Sequence, residues 1–123
     1  MTVPRILYVE DNFQNKRLVK KILLAKGFAV LEADDGLQAV ALTVKERPDL
    51  ILMDINIAGI DGMEATRRIK AIPEVQHIPI IAVTANAMVG DREKVIAAGC
   101  TDYLAKPVNL TLLVDTVRKY LGE

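Results

Sequence analysis

The sequence predicts a doubly wound α/β domain: five parallel strands in one sheet, ordered 2-1-3-4-5, with five helices covering both faces. Two features predict it. Short apolar runs alternate with longer segments of helical period through five rounds, the pattern of repeated βα units. The runs themselves barely alternate between apolar and polar residues, as strands covered on both faces do. The right-handed crossover rule leaves few topologies for five such units, and this order is a common one.

The predicted strands are 6–9, 28–31, 50–53, 80–83 and the shorter 103–105, all rich in β-branched and large apolar residues. The first helix, roughly 13–26, is expected to bury Leu18, Ile22 and their neighbours, with Lys16, Arg17, Lys20 and Lys21 on a solvated face. In the second helix Leu37, Val40, Ala41 and Val44 fall on one stripe. In the last, Leu110, Leu113, Val114, Val117 and Leu121 do the same. The segment 91–98 carries clustered charges and a weak stripe, so its helix should pack least firmly. With 123 residues and no composition shift, repeat or Gly/Ser linker, the chain reads as one domain around one core.

Composition excludes several function classes. Lys plus Arg and Asp plus Glu both number 16, so the electrostatic footprint that nucleic acid or an anionic membrane selects is missing. Proteins and small ions are the expected partners. Cys100 is the single cysteine, which rules out an intrachain disulfide and a Cys/His zinc cluster and points to a reducing, cytoplasmic compartment. The start, "MTVPRILYVEDN", has no signal-peptide pattern, and no apolar run reaches membrane-spanning length.

In this architecture ligands sit beyond the carboxyl ends of the strands, so the residues found there decide function. The first run ends in Glu10, Asp11 and Asn12, the third in Asp54, the fourth in Thr84 and Ala85, and the fifth leads into Lys106 and Pro107. Taken singly, each acid or hydroxyl could be a helix cap or turn former. Taken together, three carboxylates in one crevice would repel and raise one another's pKa unless a cation neutralised them. A hard divalent ion, Mg²⁺ or Mn²⁺, suits a few carboxylates, whereas the ligand count falls short of a Ca²⁺ loop. Asp54, screened by such an ion, could attack a phosphoryl group and form an acyl phosphate. Lys106 could neutralise phosphoryl oxygens, and the Thr84 hydroxyl could donate a hydrogen bond to one.

The ordered motifs "VEDN" (Glu10, Asp11), "LILMDIN" (Asp54), "VTANA" (Thr84) and "DYLAKP" (Tyr103, Lys106, Pro107) make the chain resemble the receiver domains of two-component response regulators over essentially its whole length. The bare receiver with "EDNxxN" at its first helix looks most like single-domain regulators of the DivK type, and a receiver cut from a hybrid kinase would look similar. The resemblance implies a flavodoxin-like, CheY-like fold without an output domain, acting as a signalling module rather than an enzyme with a diffusible substrate. It implies Mg²⁺ held by Asp11, Asp54 and the backbone carbonyl of Asn56, with Glu10 acting through water. It further implies a phosphoryl donor that is a sensor histidine kinase or a histidine phosphotransfer protein, and a downstream protein target. The protein would be a monomer or a weak homodimer. On phosphorylation Thr84 would move toward the phosphoryl group and the Tyr103 ring would swing into the space it leaves. The Lys106–Pro107 bond is expected to be cis.

Many receivers place proline four residues after the acceptor, where this chain has Ala58 followed by Gly59, so a looser loop is expected. Asn56 and Asn86, two places after the acceptor and the switch Thr, flank the phosphoryl group by resemblance. His77 reads as a surface residue and Cys100 as a small packing residue. Met88 and Val89 could lie on the switching face or in the core. A haloacid dehalogenase-like phosphatase also uses a strand-end Asp, Mg²⁺ and Lys, but Asn56 cannot replace the second Asp of its D-x-D motif as general acid. A degenerate receiver that only binds partners would typically lack one of the acids or the lysine present here. Nucleotide binding lacks its Gly-rich phosphate loop.

Overall fold

Alternating short strands and amphipathic helices assemble as the sequence predicts. A computed structural model describes residues 3–57, 59–85 and 89–122, without the side chains of residues 89–91. The elements are β1 (Arg5–Val9), α1 (Phe13–Ala25), β2 (Ala29–Ala33), α2 (Gly36–Glu46), β3 (Leu50–Asp54), α3 (Gly62–Lys70), β4 (Ile80–Thr84), α4 (Val89–Ala98), β5 (Asp102–Ala105) and α5 (Leu110–Leu121). All strands are parallel, in the order β2-β1-β3-β4-β5.

The period-two alternation of the strands divides the core into two layers. Leu7, Val9, Ile51, Met53, Ile80 and Ala82 pack with Ala39 of α2, Ala65 and Ile69 of α3 and Val95 of α4. Ile6, Tyr8, Leu50, Leu52, Ile81 and Leu104 point the other way, onto Val19 and Leu23 of α1 and Leu113, Val114 and Val117 of α5. β3 and β4 are buried throughout, which explains why they read as unbroken apolar runs. Four helices start on a side-chain cap: Asn12, Asp35, Asp61 and Asn109 each accept a hydrogen bond from the backbone N–H three residues on.

Three local expectations need correction. β2 covers 29–33 rather than 28–31, because its ladder with β1 runs on to pair Val9 with Ala33, a tertiary pairing invisible in the local sequence. α1 packs Ile22 against the core as expected, together with the buried Val19 and Leu23, but Leu18 is 52 % exposed, so the buried face is turned slightly from the predicted one. Lys16 and Lys20 on its flank pair with Asp34 and Glu32, so the basic face is partly engaged. In α2 Leu37, Ala41 and Val44 of the predicted stripe are exposed and Val40 alone packs against the core, where Gly36, Ala39 and Thr43 are buried instead. Gly36 sets that rotation, since a Cβ there would lie 2.3 Å from the Ile60 carbonyl oxygen. Small residues let α2 sit close to the sheet, and the larger apolar ones are left outside. The α5 stripe is as predicted, with Leu113, Val114 and Val117 buried and Leu110 and Leu121 at its margin.

Candidate functional site

The parallel register carries the chemistry to one edge. Asp54 closes β3 and Thr84 closes β4, Glu10 and Asp11 follow β1 directly, and Lys106 follows β5. Backbone bonds fix these exits: Glu10 N–H donates to the Ala33 carbonyl (3.1 Å), Ile55 N–H to Val83 (3.0 Å) and Lys106 N–H to Thr84 (2.8 Å). The Lys106–Pro107 peptide is cis, as expected.

Carboxylate oxygens of Glu10, Asp11 and Asp54 all lie within 4.8 Å of one another. Asp11 is exposed while Glu10 and Asp54 are buried. None of the three is a helix cap, since Asn12 caps α1 and Asp61 caps α3. The Lys106 ammonium donates to Asp54 Oδ2 at 3.0 Å and pairs with Glu10 Oε1 at 3.4 Å. Asp54 Oδ1 accepts from the Asn56 N–H at 3.0 Å, and Glu10 Oε2 meets the Asn12 N–H at 3.5 Å. Burial first, and then the neighbouring Asp54, push the Glu10 carboxyl above the usual carboxylate range, against the pull of Lys106. For Lys106 burial acts downward, but hydrogen bonds and charge from Asp54 and Glu10 outweigh it and raise the ammonium's pKa. Among the described residues the crevice therefore holds more carboxylates than ammonium groups, and its anionic groups offer oxygen donors. That set fits a hard divalent cation such as Mg²⁺.

The α3 N-terminus is built against the backbone of Asp54 and Ile55. Gly62 N–H donates to the Ile55 carbonyl (3.1 Å), and a Cβ at Gly62 would come within 2.4 Å of the Asp54 carbonyl oxygen. Gly59, in the loop between them, has φ +76°, a conformation that favours glycine. Ala58 lies outside the described residues, as do Asn86, Met88 and the Val89 side chain.

The two switch candidates stand on the opposite face from Lys106. Thr84, 1 % exposed, shares its strand face with Ile80 and Ala82, which pack on the α2–α4 side. Tyr103 is half-buried against that same layer, with the Arg92 guanidinium of α4 5.7 Å from its ring centroid. Its backbone N–H donates to Asp102 Oδ1 (2.8 Å), and Asp102 Oδ2 accepts from the Tyr120 hydroxyl of α5 (2.7 Å). His77 is exposed in the α3–β4 connection, and Cys100 is buried with its Sγ 3.7 Å from the Thr66 hydroxyl.

One site residue escapes sequence reasoning. Tyr8, 1 % exposed, donates its hydroxyl to Glu10 Oε1 at 3.2 Å. Burial first, then the Glu10 carboxylate, hold its phenol protonated far above the ordinary tyrosine range. The available signal is a single hydroxyl in the aliphatic strand "RILYV", because a buried tyrosine hydroxyl usually finds a polar partner.

Comparison with known proteins agrees with this geometry. The response regulator receiver domain family matches residues 6–118. The polar-differentiation response regulator DivK of Brucella anthropi is 41 % identical over 118 residues, covering 96 % of each chain. The receiver domain of a sensor histidine kinase from Pseudomonas aeruginosa, solved with a magnesium ion coordinated in its active-site cleft, superposes with a TM-score of 0.92. It is 41 % identical and covers 99 % of this chain and 100 % of its own. The receiver domain of Saccharomyces cerevisiae Ssk1, solved together with the histidine phosphotransfer protein Ypd1, gives a TM-score of 0.90 at 28 % identity, covering 96 % of this chain and 88 % of its own. No described helix is long and apolar enough to cross a membrane. A CheY-like sheet whose strand ends gather three acids and a lysine, matched over nearly its whole length, places the chain among the receiver domains of two-component response regulators.

Proposed function

We propose that Asp54 is the phosphoacceptor of this receiver, and that Asp11, Asp54 and the Asn56 carbonyl hold Mg²⁺ while Glu10 acts through water. The observation that carries the reading is the acid cluster with Lys106 bonded to the acceptor at 3.0 Å. Bound Mg²⁺ screens the carboxylates and orients the phosphoryl group. Asp54 supplies the attacking oxygen and receives the phosphoryl group from a phosphohistidine, whose imidazole nitrogen leaves with the bonding pair. Lys106 then turns to the new phosphoryl oxygens, and the Thr84 hydroxyl donates to another.

The phosphohistidine belongs to a sensor kinase or phosphotransfer protein. A cleft of about 450 Å³ beside Lys106, lined in part by Leu18, Val19, Val108 and Leu110, suits the apolar flank of such a donor. Treatment with acetyl phosphate and Mg²⁺ is expected to add one phosphoryl group by intact mass, and EDTA to prevent it. An increment that persists in excess EDTA sinks the metal assignment.

Thr84 and Tyr103 carry the signal outward. Drawing Thr84 toward the phosphoryl group frees space beside Tyr103, whose ring leaves Arg92 and reshapes the α4–β5 surface. Tyr103→Ala is expected to accept phosphate normally yet bind its target equally in both phosphorylation states. A pull-down in which the variant keeps the wild-type dependence on phosphorylation rejects this coupling.

A further inference from the structure

We propose that Tyr8 is a positioning residue of the acidic site: its buried hydroxyl holds the Glu10 carboxylate in place, both beside Lys106 in the resting site and when Lys106 leaves it. The inference rests on the reading of Glu10 and Lys106 given above. On the same face of the sheet, Ile6, Leu50, Leu52, Ile81 and Leu104 fill the core with aliphatic side chains. Only Tyr8 brings a hydroxyl to this set, and it stands one step along the strand face from Glu10.

Glu10 is wholly buried, and its Oε1 has two partners, the Tyr8 hydroxyl at 3.2 Å and the Lys106 ammonium at 3.4 Å. Lys106 also serves Asp54 and is the group that must turn toward a phosphoryl oxygen. As it turns, Glu10 Oε1 would, but for Tyr8, be a buried charge without that donor, an arrangement that costs the desolvation penalty. Among the described residues the Tyr8 hydroxyl bonds Glu10 and no other group. It keeps Oε1 satisfied, and its ring, packed among residues of α1 and α5, keeps the carboxylate from swinging out of reach of the cation's water. A tyrosine retained only for packing would need no such partner, and phenylalanine would fill the volume equally well.

The test is Mg²⁺ titration of the unphosphorylated protein by isothermal calorimetry, comparing wild type, Tyr8→Phe and Tyr120→Phe. Tyr120 also donates to a carboxylate, that of Asp102, but away from the acid cluster. Tyr8→Phe is expected to weaken Mg²⁺ binding roughly threefold to tenfold, at or below the bottom of the range for losing a partner of a direct metal ligand, because Glu10 reaches the ion through water. Tyr120→Phe should leave it unchanged. With acetyl phosphate, the Mg²⁺ concentration for half-maximal phosphorylation of Tyr8→Phe should rise by the same factor while the maximal rate at saturating Mg²⁺ stays that of wild type. Equal Mg²⁺ affinity in Tyr8→Phe and wild type, or equal weakening in both variants, overturns the proposal. Should Tyr8→Phe not fold, tyrosine ¹³Cζ resonances of the wild type decide instead: Tyr8 is expected to shift on adding Mg²⁺ while Tyr120 stays, and a stationary Tyr8 overturns it. Wild type that binds no Mg²⁺ overturns the proposed site as a whole, a result separable from failure of the Tyr8 role alone.

Discussion

Asp54→Asn is expected to fold like the wild type and to take up no phosphoryl group from acetyl phosphate and Mg²⁺. The amide is nearly the same shape, so its oxygen can still accept from the Asn56 N–H or the Lys106 ammonium. It has no anionic oxygen to attack phosphorus, so the loss is complete rather than graded. Glu10 and Asp11 lie close by, yet Glu10 is wholly buried and hydrogen-bonded to Tyr8, and Asp11 is exposed on the loop after β1. Neither is placed to substitute. Removing one of three crowded carboxylates also relieves repulsion, so urea unfolding of the metal-free variant should give a stability equal to or slightly above wild type. A phosphoryl increment on Asp54→Asn by intact mass would move the acceptor elsewhere and sink the assignment.

Gly62→Ala is the substitution expected to damage the fold most for its size. One methyl group would have to fit within 2.4 Å of the Asp54 carbonyl oxygen and 2.8 Å of the Ile55 Cα, both backbone atoms that cannot rotate away. Either α3 backs off, opening the packing of Ala65 and Ile69, or the chain at 54–56 shifts. Overpacking of this kind costs about 3 kcal/mol. The effect should appear as a lower urea midpoint with an unchanged slope. Because the shifted segment includes Asp54 and Asn56, Mg²⁺ affinity should fall as well, whereas an alanine at the exposed Asp11 would weaken Mg²⁺ binding with little loss of stability. A Gly62→Ala protein as stable as wild type would show that α3 is not wedged against the Asp54 backbone.

The sheet and its order were legible because five apolar runs separated by helical segments leave few ways to wind. The acids, Thr84 and Lys106 were legible because residue types at strand ends are a local property. What escaped was set by distant partners. The face buried by α2 depends on Gly36 meeting Ile60, two segments apart in sequence, so the most apolar stripe was the wrong one. The extra length of β2 depends on pairing with β1. Tyr8 read as one more core residue of its strand, since nothing in "RILYV" tells which way its hydroxyl points. The same non-locality separates Asp54 from the helix cap it could have been: Asp61 takes that role seven residues on.

The two-layered core has a consequence for traffic through the molecule. Lys106, Glu10 and the cleft beside α1 lie toward one side of the sheet, and Tyr103 with Arg92 toward the other. A protein gripping α1 and a protein gripping α4 would approach from opposite directions and need not exclude each other. Delivery and readout could then overlap in time on one small domain, with the sheet standing between them as a wall that only the edge at Asp54 and Thr84 connects.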